Sequence, residues 1–175
     1  MSTTSGSDLA SSRPTTPDPR TAEVWQRLAA RLVDHVGLAV GTTVLLAPLG
    51  LGASVLGGPA GLLAGAFSAV VSAAVTIGYF AVLEARDGQT IGKRLLGVRV
   101  VDTTGAPPAI GAALRRNAWT GLGVVSAVPV VGGLAGSLAT LVAAIAILVG
   151  IAGDPERRGW HDRFAGGTRV VLRDR

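Results

Sequence analysis

Two long tracts of this chain contain no Asp, Glu, Lys or Arg, and they restrict the kind of protein that it can form. The first covers residues 35–83 and the second covers residues 117–153. Each is much longer than the ~20 residues that cross a hydrocarbon core about 30 Å thick. A helix at the surface of a soluble protein would carry charge on its water-facing side. We therefore predict an integral membrane protein.

The charge balance agrees with a membrane environment. Only 15% of the 175 residues are charged, against ~25% in soluble domains, and the mean hydropathy is +0.50. A net charge of +5 also occurs in nucleic-acid-binding proteins, but all 16 basic residues lie outside the central parts of the apolar tracts. That placement is typical of helix flanks at an anionic leaflet. We expect membrane lipids as partners and no nucleic acid.

Pro and Gly residues divide the apolar tracts into helices. The first helix is predicted from residue 22 to about residue 49, and the second from about residue 60 to residue 83. The region 117–153 is too long for one helix and is interrupted at Pro129 and Gly132–Gly133. It indicates either one span plus a surface helix or a helical hairpin with a short first arm.

Charge placement favours the hairpin. Basic residues flank the first helix, fill the connector that begins at Arg86 and return after Asp154, whereas the turns around Gly50–Pro59 and Val130–Gly133 carry no charge. Because Lys and Arg concentrate in cytoplasmic loops, we predict an all-α bundle of four transmembrane helices with both termini cytoplasmic. The third helix is short, interrupted by Pro and Gly, and paired with the fourth as a hairpin.

Two short segments outside the helices predict a small cytoplasmic β element. Val98–Asp102 and Thr168–Leu172 are both rich in β-branched residues and have nearly the same sequence. We expect them to pair as two strands. Between the second helix and the first strand, Thr90–Leu96 is predicted as a surface helix with Lys93 and Arg94 facing the lipid headgroups.

The chain is predicted to contain one domain, over residues 22–172. Residues 1–21 are rich in Ser, Thr and Pro, which predicts a disordered cytoplasmic tail, and residues 173–175 form a short second tail. The N-terminal segment does not resemble a signal peptide, because the apolar run starts late and carries Asp34 and His35 near its beginning.

Asp34 is the charge least expected in this sequence. It lies two helical turns after Arg27, on the same face and roughly 10 Å deeper at 1.5 Å per residue. An ionised carboxylate at membrane depth costs at least ~2.5 kcal/mol. Two interpretations remain open. Asp34 belongs to a polar site that binds a cation or a proton, or it is a structural carboxylate neutralised by Arg31 or by an arginine of the connector.

The other polar residues give weaker indications. His35 points about 100° away from Asp34 and is interpreted as an interfacial histidine. Glu84 ends the second helix as an ordinary cytoplasmic charge or, alternatively, meets the face of Arg27. The chain has no Cys and two His, so we expect no disulfide, no metal site and no cofactor. It contains no catalytic motif, and we expect no enzymatic activity.

Three sequence blocks together resemble the RDD family of small bacterial integral membrane proteins. They are WQRLAARLVDHVG (Trp25–Gly37), GQTIGKRLLGVRVVDTTG (Gly88–Gly105) and WHDRFAGGTRVV (Trp160–Val171). The resemblance covers about Val24 to Leu172 and implies a multi-pass protein of the bacterial plasma membrane. Gly166–Gly167 stands where the family usually has one glycine.

The resemblance also implies key residues. The arginine and two aspartates that give the family its name match Arg27, Asp34 and Asp162. We therefore predict an ion-binding or structural polar site at these three, with Arg31, Glu84 and His161 as supporting residues. Arg27 and Asp162 are expected to meet at the membrane surface; in the alternative interpretation, Asp162 caps a local turn beside His161.

Two functions of different classes follow. The resemblance suggests transport of ions or small solutes, for which Asp34 would be the titratable group and a homo-oligomer would be needed. The alternative is a non-catalytic adaptor or assembly component that binds a protein partner through its basic cytoplasmic face. The sequence does not specify a substrate.

Overall fold

The computed structural model describes residues 20–127 and 132–173 of the chain. Most of the predicted tail (residues 1–21) and residues 174–175 lie outside this part. The secondary-structure elements, in chain order, are α1 (Val24–Leu56), α2 (Gly58–Asp87), α3 (Ile91–Leu95), β1 (Val98–Val101), α4 (Ile110–Asn117), a 3₁₀ helix (Ala118–Ala127), α5 (Gly132–Gly153), α6 (Trp160–Phe164) and β2 (Arg169–Leu172).

Three helices are long and apolar enough to cross a membrane. The spans lie at Val24–Gly52 in α1, Gly58–Asp87 in α2 and Leu134–Gly153 in α5. Only 6%, 11% and 17% of their most apolar windows is buried inside the protein, so most of these side chains face outward. An apolar surface of this extent is stable in lipid rather than in water. The prediction of a helical membrane protein is confirmed.

The boundary between α1 and α2 differs from the prediction. The helix does not end near residue 49; it continues through Pro48 and reaches Leu56. Ending a helix inside the hydrocarbon core would leave several backbone groups without partners, whereas one proline removes a single donor. The reversal is made instead by Gly57 and Gly58, whose φ angles of +57° and +50° favour glycine.

The last apolar region contains two helices that pack against each other, the 3₁₀ helix and α5. The 3₁₀ helix has 10 residues, which span about 20 Å at ~2.0 Å per residue. This is shorter than the hydrocarbon core. The predicted interruption at Pro129 and the start of the turn at Val130 lie outside the described residues.

The predicted pairing of two strands is confirmed. β1 and β2 are antiparallel, with a register that runs from Val98 opposite Leu172 to Val101 opposite Arg169. Such strands can pair directly although residues 102–168 lie between them, because the pairing needs only that both lie on one side of the bundle.

A small apolar core joins this sheet to the start of α1. Val98, Val100 and Val170 from the two strands pack with Ala22 and Ala30, and each is at most 2% exposed. The sheet, α3, α4 and α6 thus gather at one end of the long helices. This end of the molecule, called the polar end below, contains the charged residues of the candidate site.

Candidate polar site

Buried polar side chains concentrate at the polar end. The buried polar and charged residues of the described part are Thr21, Asp34, Glu84, Gln89, Thr90, Lys93, Arg116, Asn117, His161, Asp162 and Thr168. They come from α1, α2, α3, α4 and α6 and from the chain around them. Because buried polar groups without partners are costly, their contacts show what each one does.

Glu84, near the end of α2, is fully buried and surrounded by donors. Lys93 Nζ lies 2.6 Å from its Oε1, Arg116 Nη1 lies 3.0 Å from its Oε2, and Asn117 Nδ2 donates to Oε2 at 3.0 Å. Glu84 therefore joins α2 to α3 and α4. A carboxylate in this position is stable only while its cations remain.

Lys93 corrects the prediction for the short helix α3. It was expected to face the headgroups together with Arg94, but it is 6% exposed and points to Glu84. Arg94 is half-exposed and pairs with Asp87. α3 therefore lies against the bundle with one charged face inward, because Glu84 offers Lys93 a stronger partner than water or headgroups do.

Asp162 is the second buried carboxylate and is bound chiefly by Arg116. Arg116 Nε donates to Asp162 Oδ1 at 2.7 Å, and the same guanidinium contacts Glu84. Thr168 Oγ1 donates to Oδ1 at 3.1 Å, and the backbone N–H of Gly159 donates to Oδ2 at 3.0 Å. Asp162 thus caps a local turn and also holds α4.

The charges around Asp162 shift its proton affinity and that of its neighbours. Burial opposes the ionised form, but Arg116 outweighs burial and holds the pKa of Asp162 below its usual value. Burial likewise disfavours a charged Arg116, yet Glu84 and Asp162 raise the pKa of that guanidinium above its usual value. Both groups therefore remain charged at neutral pH.

Arg27 meets Asp162 only at longer range. Its Nη1 lies 3.8 Å from Asp162 Oδ2, and its closer contacts are backbone carbonyls: Nη1 donates to Arg157 O at 2.6 Å and Nη2 to Val170 O at 3.2 Å. Arg27 therefore ties the start of α1 to β2 and to the loop before α6.

Asp34 has surroundings of another kind. It is 3% exposed and accepts hydrogen bonds from Tyr79 Oη at 2.7 Å, from the backbone N–H of Gly92 at 2.8 Å and from the hydroxyl of Thr90. All three donors are neutral. Among the described residues no Lys or Arg nitrogen lies within ion-pair distance of Asp34.

The position of α3 against Asp34 depends on Gly92. A Cβ at this residue would lie 2.2 Å from the carbonyl oxygen of Ala30 and 3.0 Å from Asp34 Cγ. Only glycine allows the backbone of α3 to approach α1 closely enough for its N–H to reach the carboxylate. Asp34 thereby anchors the start of α3.

Arg31 does not neutralise Asp34, although it was the nearest partner in sequence. Its Nη1 donates to Asn117 Oδ1 at 2.9 Å, and its guanidinium carbon lies 3.6 Å from the ring centroid of Phe80. Within the described residues Arg31 forms no ion pair, and its contacts are an amide and an aromatic face.

The two histidines occupy different positions. His35 is half-buried, and its Nδ1 lies 2.8 Å from the carbonyl oxygen of Arg31. His161 is 8% exposed, and its Nε2 lies 3.7 Å from Asp162 Oδ1. Burial, assisted by Arg116 and opposed by Asp162, lowers the pKa of His161 to about 3. It is therefore neutral at physiological pH.

One interpretation allowed Glu84 to meet the face of Arg27, but the two side chains are not in contact. The sequence did not indicate the roles of Lys93, Arg116 and Asn117. Arg116 and Asn117 sit where the second apolar tract begins, which is an ordinary place for flanking polar residues. Two acids, Asp34 and Glu84, lie close to the apolar tracts, and a buried acid requires a donor or a cation near it. That requirement could have indicated that some of the flanking cations are buried. No group of three or more metal-binding side chains occurs in the described ranges.

The comparisons with known proteins place the chain in a family. No curated protein and no solved structure matches it. The sequence model of the RDD family matches residues 21–166, which include α1, α2, the connector and the turn that holds Asp162. The chain therefore belongs to the RDD family.

Proposed function

We propose that this RDD-family membrane protein handles ions, with Asp34 as the group that exchanges a proton or binds a cation. The observation that carries the proposal is the difference among the three buried carboxylates. Glu84 and Asp162 are each held by cationic side chains, whereas Asp34 is held by neutral donors alone. A carboxylate at membrane depth that has no cationic partner is costly to keep ionised. Uptake of a proton or a cation removes that cost.

A groove beside Asp34 supports this role. A cavity of about 450 Å³ lies between α1 and α2 and is lined by Asp34, Thr42 and Tyr79 among apolar residues. Gly37 and Gly41 line it on the α1 side and, because they have no side chains, leave space there. Asp34 stands at the end of this groove nearest the polar end. A second copy of the chain would close the open side, so we propose a homo-oligomer.

The proposed topology has four membrane segments and cytoplasmic termini in the bacterial plasma membrane. The bond between Arg116 and Asp162 supports it, because these residues lie just before the 3₁₀ helix and just after α5. The chain therefore enters and leaves the last apolar region on one face. The 3₁₀ helix, at about 20 Å, would be the shortened third segment.

Ion flux into proteoliposomes tests the role of Asp34. A pH-sensitive dye inside the vesicles would report proton movement after a gradient of Na⁺ or K⁺ is imposed. We expect pH-dependent flux for the unmodified protein and at least a tenfold loss for Asp34→Asn, which removes the charge but keeps an oxygen that accepts hydrogen bonds.

Two matched variants separate charge from structure. Asp87→Asn removes a half-exposed carboxylate from the end of α2 and is expected to retain full flux. Thr90→Val removes one hydrogen bond to Asp34 and leaves its charge, so flux should persist at lower thermal stability. Unchanged flux in Asp34→Asn, with Asp87→Asn as the reference, would contradict the proposal.

A second function, an adaptor that binds a protein partner, is favoured by the outer surface of the polar end. Ile91 and Leu95 are 59% and 70% exposed and lie in α3, the short helix that also carries Arg94. An apolar patch with a basic residue beside it suits an acidic amphipathic segment. Neither function requires catalysis, and we propose that the protein is not an enzyme.

Crosslinking in the native membrane distinguishes this second function from the first. The adaptor function predicts a specific partner that is lost in Leu95→Lys and retained in Val82→Lys, a change on α2 away from the patch. A protein that moves ions when purified alone, and that crosslinks to no partner, would exclude the adaptor function.

A further inference from the structure

A second cavity, of about 150 Å³, lies inside the polar end and differs in charge from the groove at Asp34. Its polar lining consists of Arg27, Arg31, Lys93, Arg116 and His161, with no carboxylate among its lining residues. We call it the cationic cavity. Its volume corresponds to about five water molecules at ~30 Å³ each, which is enough for a phosphate group.

The charges around the cationic cavity do not balance. Four cations line it, and among the described residues two buried carboxylates, Glu84 and Asp162, are paired with them. Glu84 is shared by Lys93 and Arg116, and Asp162 by Arg116 and Arg27. Asp34 lies outside the lining and is bound by neutral donors. Net positive charge therefore remains around the cavity, and Arg31 has no carboxylate of the described part in contact.

The hydrogen-bonding capacity of the cavity wall is also incompletely used. Within the described residues, Nε and Nη2 of Arg31 are buried and have no hydrogen-bond partner. Buried donors without acceptors are costly, and a guanidinium prefers the oxygens of a carboxylate or a phosphate. The wall therefore favours an anionic acceptor.

The rest of the cavity lining is mostly apolar. It includes Ala144, Ile147 and Leu148 of α5 and Leu28 of α1. Leu28 is 47% exposed on a helix surface that we place in the membrane. A ligand that fits both parts of the lining has an anionic group at one end and a hydrocarbon chain at the other.

We propose that the cationic cavity binds an acidic phospholipid from the cytoplasmic leaflet. The phosphate lies against Arg31, with Arg27, Lys93 and Arg116 nearby, and an acyl chain lies between α1 and α5. The lipid supplies negative charge that Glu84 and Asp162 do not provide. This inference does not depend on ion handling by Asp34, which lines the other cavity.

Thermal unfolding of the delipidated protein in a non-ionic detergent tests the proposal. The probes are short-chain phosphatidylglycerol, phosphatidylcholine with the same chains, and inorganic phosphate. For a chain of this size, a ligand at about a hundred times its Kd raises Tm by roughly 5–10 °C. We expect this shift with phosphatidylglycerol and less than a third of it with either other probe.

Three variants locate the site. Arg31→Gln should raise the half-saturating concentration of phosphatidylglycerol at least tenfold, whereas Arg86→Gln, a change at a side chain that is 76% exposed, should leave it unchanged. Ala144→Phe fills the apolar side without altering charge and should also weaken binding. If Arg31→Gln does not fold, the Ala144→Phe variant and the comparison of the three probes still test whether the cavity binds the acidic lipid.

Three results would overturn the proposal. Equal shifts with phosphatidylcholine would mean that the hydrocarbon chain alone binds, and an equal shift with inorganic phosphate would assign the cavity to a free anion. Unchanged phosphatidylglycerol binding in both Arg31→Gln and Ala144→Phe would place the lipid elsewhere on the surface.

Discussion

The two halves of α1 are stabilised by different surroundings. In its first half, Ala30 and Asp34 are 1% and 3% exposed, because the sheet and α3 cover them. In its second half, Val44 and Val55 are 71% and 86% exposed. The polar end is therefore held by contacts within the protein, and the remaining length of the helix depends on lipid. Substitutions in the two halves should differ accordingly.

The largest effect is expected from Arg116→Met. This change leaves both Glu84 and Asp162 without their shared cation, and breaking a buried ion pair from one side costs about 3–5 kcal/mol. Denaturant unfolding in mixed micelles would measure the loss. Arg86→Met, at an exposed position, is the control and should change the unfolding free energy by less than ~0.5 kcal/mol.

Gly92→Ala should have the next largest effect. The added methyl group would overlap the carbonyl oxygen of Ala30, so α3 must move away from α1, at a cost of about 1–3 kcal/mol. Gly37→Ala is the matched control, because nothing lies within 4 Å of a Cβ there. Equal stability of the two variants would show that α3 does not pack as closely as described.

Acidification should weaken the polar end. The folded protein keeps His161 neutral down to a pKa of about 3, whereas the unfolded chain protonates it near pH 6.5. The unfolded state thus binds more protons between these values, so stability is full above about pH 6.5 and falls as the pH drops. One histidine contributes up to ~1.4 kcal/mol per pH unit.

The variant His161→Gln isolates this contribution. Its unfolding free energy, measured from pH 7 to about pH 5.5, should fall less steeply than that of the unmodified protein. The depressed pKa of Asp162 acts at lower pH, where its stabilising effect is lost as the pH falls through the folded-state value. Parallel pH curves for the two proteins would exclude His161 as a source of the slope.

The smallest effect is expected where lipid surrounds α2. Leu63 is 73% exposed, and Leu63→Ala should change the unfolding free energy by less than ~0.5 kcal/mol. Val100→Ala removes a similar apolar group from the core under the sheet, where the cost should be about 1–2 kcal/mol. A large loss in Leu63→Ala would indicate that another protein surface covers α2.

The sequence was most informative where a single physical requirement acts. The length of the apolar tracts and their lack of charge predicted the long helices. The two similar segments rich in β-branched residues predicted the pairing of β1 with β2. It misplaced the end of α1, because Pro48 ends helices in water but is tolerated in lipid.

The partners of the buried charges could not be predicted in the same way. Lys93 and Arg116 look like ordinary flanking cations, and only the folded arrangement brings them to Glu84. Similarly, Arg31 is close to Asp34 along α1 but packs on Phe80. Which of several cations meets an acid depends on how the connector crosses the bundle, and helical spacing contains no information on that path.

The contacts of Arg27 have a consequence for how the protein is made. Its guanidinium donates to the carbonyl of Val170, which follows it by 143 residues, and to that of Arg157. A ribosome at ~5–20 residues per second releases these acceptors many seconds after α1 has emerged. Until then the start of α1 lacks both hydrogen bonds, so the polar end is completed only after the segments around residues 157 and 170 have been synthesised.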